Sequence, residues 1–257
     1  MRLLAVALLL LLPSTVLAWG PLGHRVTGQI AQSRLSPRAA AAVQRILGTE
    51  DLAEASTWAD EMRSNPEPFW QQTGNPWHYV TVPPGKTYAE VGAPPEGDAV
   101  TALQGFARTL RDKSATPEQQ ALALRFAVHV IADLQQPLHA GNGTDKGGNT
   151  VRVRWFGRDT DLHAVWDSEL PNNKGLSYSE YTLWLTRKLK PQDARAWSSA
   201  DPLVWIAESA ALRDRIYPAD SRLSYQYIYD HSADVDLRLT QGGLRVAAWL
   251  NSVFAER

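Results

Sequence analysis

The stretch RFAVHVIADLQQPLH, Arg125–His139, combines an apolar helix with three side chains of the kind that bind metal ions. His129 and Asp133 stand four residues apart, so both side chains lie on one face of the helix and can share an ion. Pro137 ends the helix, and His139 follows directly in the turn. A single histidine on an apolar helix face is more often a hydrogen-bonded core residue than a ligand. The stretch alone therefore predicts a buried helix and leaves its chemistry open.

Further histidines and aspartates lie in equally apolar surroundings elsewhere in the chain. His163 and Asp167 repeat the four-residue spacing in LHAVWD, Asp60 follows TWA on a predicted helix, and His78 begins a predicted strand, HYV. His24 precedes another apolar segment. Because unpaired polar groups are costly in the interior, shared metal ligation explains these residues together. Imidazoles and carboxylates without a thiol favour zinc.

The N-terminus predicts export. Residues 3–12 form an apolar run after Arg2, and the segment ending at Ala18 resembles a signal-peptidase site. A membrane span would need about 20 apolar residues. We therefore expect residues 1–18 to be a signal peptide and the protein to be secreted or periplasmic. Cleavage would give Trp19 a free amino nitrogen, which can bind a metal.

Composition limits the remaining possibilities. Residues 19–257 contain no repeat or low-complexity linker, so we expect one domain with a substantial core and a monomer. The net charge of −1 argues against a protein that binds nucleic-acid duplexes through a broad basic surface. The chain has no cysteine, which excludes disulfides and zinc–thiolate sites.

The secondary-structure signals predict a mainly α fold with a small β hairpin. Strands are predicted at 77–82 and 150–155, and a turn at 157–159. The last helix is predicted at 232–256, with a bend or break at Gly242–Gly243. Other helices are predicted to start at capping residues or at prolines, at Ser36-Pro37 (ending at Gly48), Thr116-Pro117, Ser177 and Asp201-Pro202.

Taken together, the motifs resemble those of the zinc-dependent single-strand-specific nucleases of fungi, plants and bacteria, the family of nuclease P-one and nuclease S-one. The resemblance runs from residue 19 to the last helix. The matching residues are Trp19, Gly20, Gly23 and His24; Ser56 to Asp60 with Arg63; His78; His129, Asp133 and Gln136 to His139; Gly147 to Asn149; Leu162, His163 and Asp167; and Gly242, Gly243 and Arg245.

The resemblance implies a mainly helical, phospholipase C/nuclease-like fold and an endonuclease that cuts single-stranded DNA and RNA to leave 5′-phosphates. Many members of that family also remove the 3′-phosphate of nucleotides. It further implies three Zn²⁺. The first would be bound by Asp60, His78, His129 and Asp133; the second by the amino nitrogen and carbonyl oxygen of Trp19, His24 and Asp133; and the third by His139, His163 and Asp167.

The chemistry of phosphodiester hydrolysis agrees with this ligand set. Two metal ions about 3.5–4 Å apart, held by Asp60 and Asp133 among others, can generate hydroxide from a bridging water. The third ion and Arg63, one helical turn beyond Asp60, would stabilise the transition state and the leaving 3′-oxygen.

Two further residues are expected to bind substrate. Tyr79 would stack on a base, although it also fits an inward-facing strand position. Asn149 would contact the nucleotide or only shape the turn. Thr81 stands where some fungal relatives carry an aspartate that binds the base, so their base preference is not carried over.

Two alternatives remain. One is a zinc-dependent phospholipase C, which shares the N-terminal tryptophan and three zinc ions; Asp167 as the last ligand and Gly-Gly-Asn at 147–149 favour the nuclease. The other is an exported zinc-binding protein without catalytic activity, which does not account for Arg63.

Overall fold

Helices make up most of residues 19–255, the part of the chain that the computed structural model describes. The predicted signal peptide, residues 1–18, lies outside this part. The predicted mainly α class is confirmed. The helices are α1 (Pro21–Gln32), α2 (Pro37–Leu47), α3 (Leu52–Ala55), α4 (Trp58–Met62), α5 (Tyr88–Val91), α6 (Ala99–Arg111), α7 (Pro117–Asp133), α8 (Leu162–Ala164), α9 (Leu170–Asn172), α10 (Tyr178–Thr186), α11 (Pro191–Trp197), α12 (Pro202–Arg213) and α13 (Tyr225–Val253).

The helix starts predicted at Ser36, Thr116, Ser177 and Asp201 are correct, whereas the last helix begins at Tyr225 and not at 232. Local capping explains the correct starts. The Ser36 hydroxyl accepts a hydrogen bond from the first turn of α2, and Thr116 forms a reciprocal capping box with Gln119 at the start of α7. Ser177 and Glu180 form the same box before α10. Each cap satisfies backbone N–H groups that have no partner inside the helix.

Short strands form two small sheets. The strands are β1 (Val80–Thr81), β2 (Ala140–Gly141), β3 (Arg152–Trp155), β4 (Arg158–Asp161) and β5 (Arg222–Leu223). In the first sheet, β1 pairs in parallel with β2; in the second, β3 lies between β4, its antiparallel neighbour, and β5, its parallel neighbour. The predicted hairpin is therefore present, turning at Phe156 and Gly157.

The predicted strand at 77–82 is largely wrong. Only Val80–Thr81 is extended in a sheet, and His78 lies in a 3₁₀ turn, Asn75–His78. Pro76 has no N–H for a ladder and has the fixed φ of a first helical turn, so it favours the turn over a strand. His78 is thereby buried at the end of the turn instead of standing in a sheet.

The predicted break at Gly242–Gly243 is also wrong, because α13 is continuous from Tyr225 to Val253. Both glycines pack against α1. A Cβ at Gly243 would lie 2.3 Å from Cβ of Ile30, and one at Gly242 would lie 2.8 Å from Cγ2 of Thr27. The glycines therefore allow two helices to approach closely and do not interrupt either of them.

The core consists of two apolar clusters that meet at α7. Ile131 belongs to a cluster that includes Phe126 and Trp205, while Ala132 belongs to one that includes Trp19 and Trp166. The last turn of α7 is therefore enclosed on all sides. No helix within residues 19–255 has the length and apolar character needed to cross a membrane.

We expect Gly243→Ala to destabilise the protein by about 1–3 kcal/mol, because the added methyl group overpacks the contact between α1 and α13. Gly105→Ala is the matched control. Its new Cβ would meet nothing closer than the end of Arg108 at 3.9 Å, so the better helix propensity of alanine should stabilise α6 by up to about 1 kcal/mol. Urea unfolding of the two variants measures both effects. Equal changes in the two variants would contradict the close helix contact.

Candidate metal centre

The last turn of α7 carries the central pair of the site. His129 and Asp133 are fully buried, and Nε2 of His129 lies 3.1 Å from Oδ2 of Asp133. On its other side, Nδ1 of His129 donates a hydrogen bond to the Ser56 carbonyl at 2.7 Å. This bond fixes the ring orientation and leaves Nε2 with a free lone pair facing the carboxylate when the ring is neutral.

His78 and Asp60 complete a first group around this pair. Nδ1 of His78 lies 3.1 Å from Oδ2 of Asp133 and 3.0 Å from Nε2 of His129. Oδ1 of Asp60, on α4, lies 3.6 Å from Nε2 of His129. One ligand atom from each of Asp60, His78 and His129 falls within 4.8 Å of the others. All four predicted ligands of the first ion are therefore close together.

His24 approaches the same carboxylate from α1. Its Nε2 lies 3.3 Å from Oδ1 of Asp133, and its ring stacks on that of His129 with centroids 4.0 Å apart. His24, His129 and Asp133 form a second possible metal group. Asp133 therefore presents one oxygen to His24 and the other to the first group, as a bridging carboxylate would.

Trp19 stands two residues before α1, the helix that carries His24, and is close in sequence to a contact with the third group. Its side chain is fully buried, and the amide of the next residue, Gly20, donates to the Asp167 carbonyl at 2.7 Å. The role of its amino nitrogen and carbonyl oxygen stays a prediction.

The third group is separate from the first two. Nε2 of His163 lies 3.1 Å from Oδ2 of Asp167, and Nε2 of His139 lies 4.0 Å from Oδ1. His139 Nδ1 donates to the His78 carbonyl at 2.7 Å, and His163 Nδ1 donates to the Gly147 carbonyl at 2.6 Å. Both imidazoles are thus held so that Nε2 points into the group.

Gln136, part of the matching motif but given no role from the sequence, is a member of the site. Its side-chain amide donates to Oδ1 of Asp167 at 2.6 Å, while its carbonyl oxygen accepts from the Leu138 amide at 2.5 Å. It therefore ties the turn that carries His139 to the carboxylate of the third group. Its position three residues after Asp133, inside the QPLH motif, was the available signal.

Burial and neighbouring charges shift the pKa values in opposite directions. Burial would lower the pKa of His129, but the carboxylates of Asp133 and Asp60 outweigh it and raise that pKa to about 9. Burial raises the pKa of Asp167 to about 7. Burial also lowers the pKa of His139 to about 3; the charge of Asp133 opposes this shift, but the neighbouring imidazoles of His163 and His78 add to it.

The site contains buried polar atoms that form no hydrogen bond with any residue of 19–255. Such orphaned atoms are rare in folded proteins and call for an explanation. A bound cation would satisfy the carboxylate oxygens and one nitrogen of each imidazole, since a neutral imidazole offers one lone pair and keeps a proton on its other nitrogen. Nitrogen and carboxylate donors without sulfur fit zinc. The atoms are both ring nitrogens of His24, Oδ1 of Asp133, Nε2 of His139 and Oδ2 of Asp167.

A cavity of about 560 Å³ opens next to the histidines of the first and third groups. The three residues predicted to act on substrate, Arg63, Tyr79 and Asn149, all line it. Nη1 of Arg63 lies 3.4 Å from Oδ1 of Asp60, and Nη2 donates to Oδ1 of Asn75 at 3.1 Å. The structure therefore brings the predicted catalytic arginine to the edge of both the metal groups and the cavity.

The two predicted substrate-binding residues differ in how they are held. Tyr79 is 41% exposed at the cavity, so it does not occupy an inward-facing core position. The side chain of Asn149 donates from Nδ2 to the Lys146 carbonyl at 2.7 Å, which shapes the turn. A contact from Asn149 to a nucleotide stays a prediction.

Comparisons with known proteins find similar sequences among nucleases. The family profile described as S1/P1 Nuclease matches residues 19–255. Endonuclease 4 of Arabidopsis thaliana is 31% identical, with 94% of this chain and 91% of that protein covered. Nuclease S1 of Aspergillus oryzae is 30% identical over 93% of this chain and 92% of its own length. Nuclease P1 of Penicillium citrinum is 29% identical over 91% and 97%.

The pKa values predict that metal uptake releases protons. At pH 7 His129, with a pKa of about 9, carries a proton, and Asp167, with a pKa of about 7, is half protonated. Zinc requires the lone pairs, so its affinity should rise with pH between about 6 and 9. Calorimetric titration of metal-free protein in buffers of different ionisation enthalpy measures the protons released. We expect more than one proton at pH 7 and fewer at pH 9.5; the absence of release at pH 7 would contradict the assignment.

Proposed function

This chain belongs to the S1/P1 nuclease family, and we propose that it is a zinc-dependent endonuclease that hydrolyses single-stranded DNA and RNA to 5′-phosphate products. The observation that carries the proposal is the bridging position of Asp133. Its two oxygens face His24 on one side and His78 and His129 on the other. A buried carboxylate shared in this way suits two neighbouring metal ions of the kind used in phosphodiester cleavage.

We assign three zinc ions to the site. Asp60, His78, His129 and Asp133 would hold the first, and His139, His163 and Asp167 the third. His24 and Asp133 would hold the second together with the amino nitrogen and carbonyl oxygen of Trp19, once the signal peptide is removed. Bound zinc would supply Lewis acidity, which lowers the pKa of a coordinated water and offsets negative charge on the phosphoryl oxygens.

The protein itself supplies orientation. His129, His139 and His163 are each fixed by a hydrogen bond from Nδ1 to a backbone carbonyl, so their Nε2 atoms keep a defined direction. Gln136 holds Asp167 through a 2.6 Å bond. Preorganised ligands of this kind do not have to rearrange during the reaction, which reduces its barrier.

Arg63 is proposed to act on the substrate. Its guanidinium lies at the cavity edge, 18% exposed, and is held by a 3.4 Å contact with the Asp60 carboxylate and a 3.1 Å hydrogen bond to Asn75, both near the protein surface. It can therefore turn towards a phosphoryl oxygen and donate a charge-assisted hydrogen bond as negative charge accumulates there. Zinc storage alone does not require an arginine at this position.

The cavity supports a preference for single strands. Its size of about 560 Å³ is in the range of pockets that hold small molecules, and Tyr79 offers an exposed ring at its wall. A base can enter and stack there only when it is not paired in a duplex. Such stacking contributes about 1–3 kcal/mol and tolerates any base. A pocket that accepts one nucleotide beside the metal groups would also admit a 3′-nucleotide, so 3′-nucleotidase activity is expected. The protein would act outside the cytoplasm as a monomer.

Activity assays on the mature, zinc-loaded protein test this proposal. We expect heat-denatured DNA and RNA to be degraded much faster than duplex DNA, with 5′-phosphate ends identified by mass spectrometry. Chelator should abolish the activity, and zinc should restore it. A parallel assay on phosphatidylcholine tests the phospholipase alternative. Hydrolysis of the lipid without cleavage of nucleic acid, or zinc binding without any turnover, would refute the proposed function.

We expect Arg63→Ala to lower kcat by about 10²–10³, the usual cost of losing one transition-state donor, with zinc content unchanged. Arg63→Lys should recover part of the loss, because lysine keeps the charge but not the planar fork. Arg45→Ala, at an exposed position on α2, is the control. Kinetics and metal analysis of the same preparations give both quantities. The assignment is wrong if activity and zinc content fall together or if neither falls.

A further inference from the structure

The loop from Asn142 to Asn149, which forms part of the cavity wall, is anchored by a buried aspartate. Oδ1 of Asp145 accepts from the Gly148 amide at 3.0 Å, and Oδ2 accepts from Nδ2 of Asn142 at 3.0 Å and from the Tyr217 hydroxyl at 2.5 Å. The Gly147 carbonyl accepts the bond from His163 of the third metal group. The loop is therefore held in a defined position relative to that group.

Three successive residues of this loop have left-handed backbone conformations: Lys146 at φ 55°, Gly147 at 62° and Gly148 at 81°. Glycine is required at 147 for steric reasons as well, since a Cβ there would lie 2.5 Å from the Leu138 carbonyl oxygen. Lys146 is exposed and has no such constraint. A residue with a Cβ is strained in this conformation, and glycine would relieve it.

The surrounding contacts hold Lys146 in this strained conformation. The Lys146 carbonyl oxygen accepts two hydrogen bonds from Asn149, one from the backbone amide at 3.4 Å and one from Nδ2 of the side chain at 2.7 Å. The turn thus places a lysine where glycine would be conformationally easier. Strained residues are concentrated at binding and active sites. Phe156 in the hairpin turn has a similar φ, but only Lys146 of the two also lines the cavity, and this combination points to a role for its side chain.

The charge around the cavity indicates what the lysine binds. Lys146 lines the cavity, as Arg63 does, and no aspartate or glutamate is among the lining residues within 19–255. Lys146 also has no ion-pair partner in the described part of the chain. A wall that carries two cations and no carboxylate suits an anion.

The two cations flank different metal groups. Arg63 contacts Asp60 of the first group, whereas Lys146 adjoins Gly147, whose carbonyl holds His163 of the third group. Arg63 is assigned to the phosphate that is cleaved. The long, flexible stem of lysine lets its ammonium reach a different point along the strand.

We propose that Lys146 binds the phosphate next to the scissile one, so that the loop from Asn142 to Asn149 forms an additional phosphate subsite for a polynucleotide strand. This inference rests on the proposed nuclease function. Asn149 is then a positioning residue, because it holds the Lys146 carbonyl. The subsite lets the enzyme favour a strand with several phosphates over a substrate that has only one.

The test compares two substrates that differ in phosphate number. A dinucleoside monophosphate contains only the scissile phosphate, whereas a single-stranded hexanucleotide adds its neighbours. The quantity of interest is kcat/KM for the hexanucleotide divided by kcat/KM for the dinucleoside monophosphate. We expect Lys146→Gln and Lys146→Gly each to lower this ratio by about tenfold, mainly because KM for the hexanucleotide rises. For the hexanucleotide, the slope of log(kcat/KM) against log[salt] should become less steep by about 0.7, the value for one phosphate contact to a single strand.

Lys86→Gln is the matched control, because Lys86 is exposed and does not line the cavity. It should leave both the ratio and the salt slope unchanged, and zinc content should be equal in all variants. Lys146→Gly also removes the backbone strain, so equal behaviour of the two Lys146 variants assigns the effect to the lost ammonium group.

Two results would overturn the inference. One is an unchanged ratio in the Lys146 variants; the other is an equal loss on both substrates, which would place the lysine at the scissile phosphate or give it a structural role. In both cases the unaltered protein still cleaves the substrates and the proposed function stands. If the unaltered, zinc-loaded protein cleaves neither substrate, the proposed function fails and the subsite fails with it.

Discussion

The Asp133 carboxylate is the group around which the rest of the structure is organised. It is completely buried in the last turn of α7, where an unpaired charge would cost several kcal/mol. Imidazoles from α1, from the Asn75–His78 turn and from α7 itself surround its two oxygens. Burial would raise the pKa of Asp133, but the imidazoles of His129, His139 and His24 together hold it well below its ordinary value. A metal cation bound between these imidazoles would compensate the buried charge of Asp133 more completely.

This arrangement depends on close packing far from the chemistry. His24 reaches Asp133 because α1 lies against α13, and that approach requires glycine at 243, where a Cβ would meet Ile30 at 2.3 Å. Ser56, just before α4, supplies the carbonyl that orients His129. The stability of the fold and the geometry of the ligands are therefore coupled. A substitution that loosens the helix contact is expected to disturb the metal groups as well.

The residues of the site divide into a rigid set and a freer set. The histidines and carboxylates are buried and, for the most part, held by second hydrogen bonds, which suits groups that must keep metal ions in fixed positions. Arg63, Tyr79 and Lys146 are partly or largely exposed at the cavity and make few contacts. They can adjust to a strand that enters and leaves. Affinity for the polymer and the chemical step are thus assigned to different side chains, so mutations can separate them.

The helical class, most helix starts and the side chains that gather at the site could be predicted from the sequence alone. Caps such as Ser36 and Thr116 act within one turn, and the spacing of His129 and Asp133 places both on one face of any helix, so these features need no distant partner. The contact of His78 with Asp133, the packing of α13 against α1, the bond from Gln136 to Asp167 and the place of Lys146 at the cavity wall emerge only in the folded chain. Each of them joins segments far apart in the chain, and such contacts exist only once the elements have packed together.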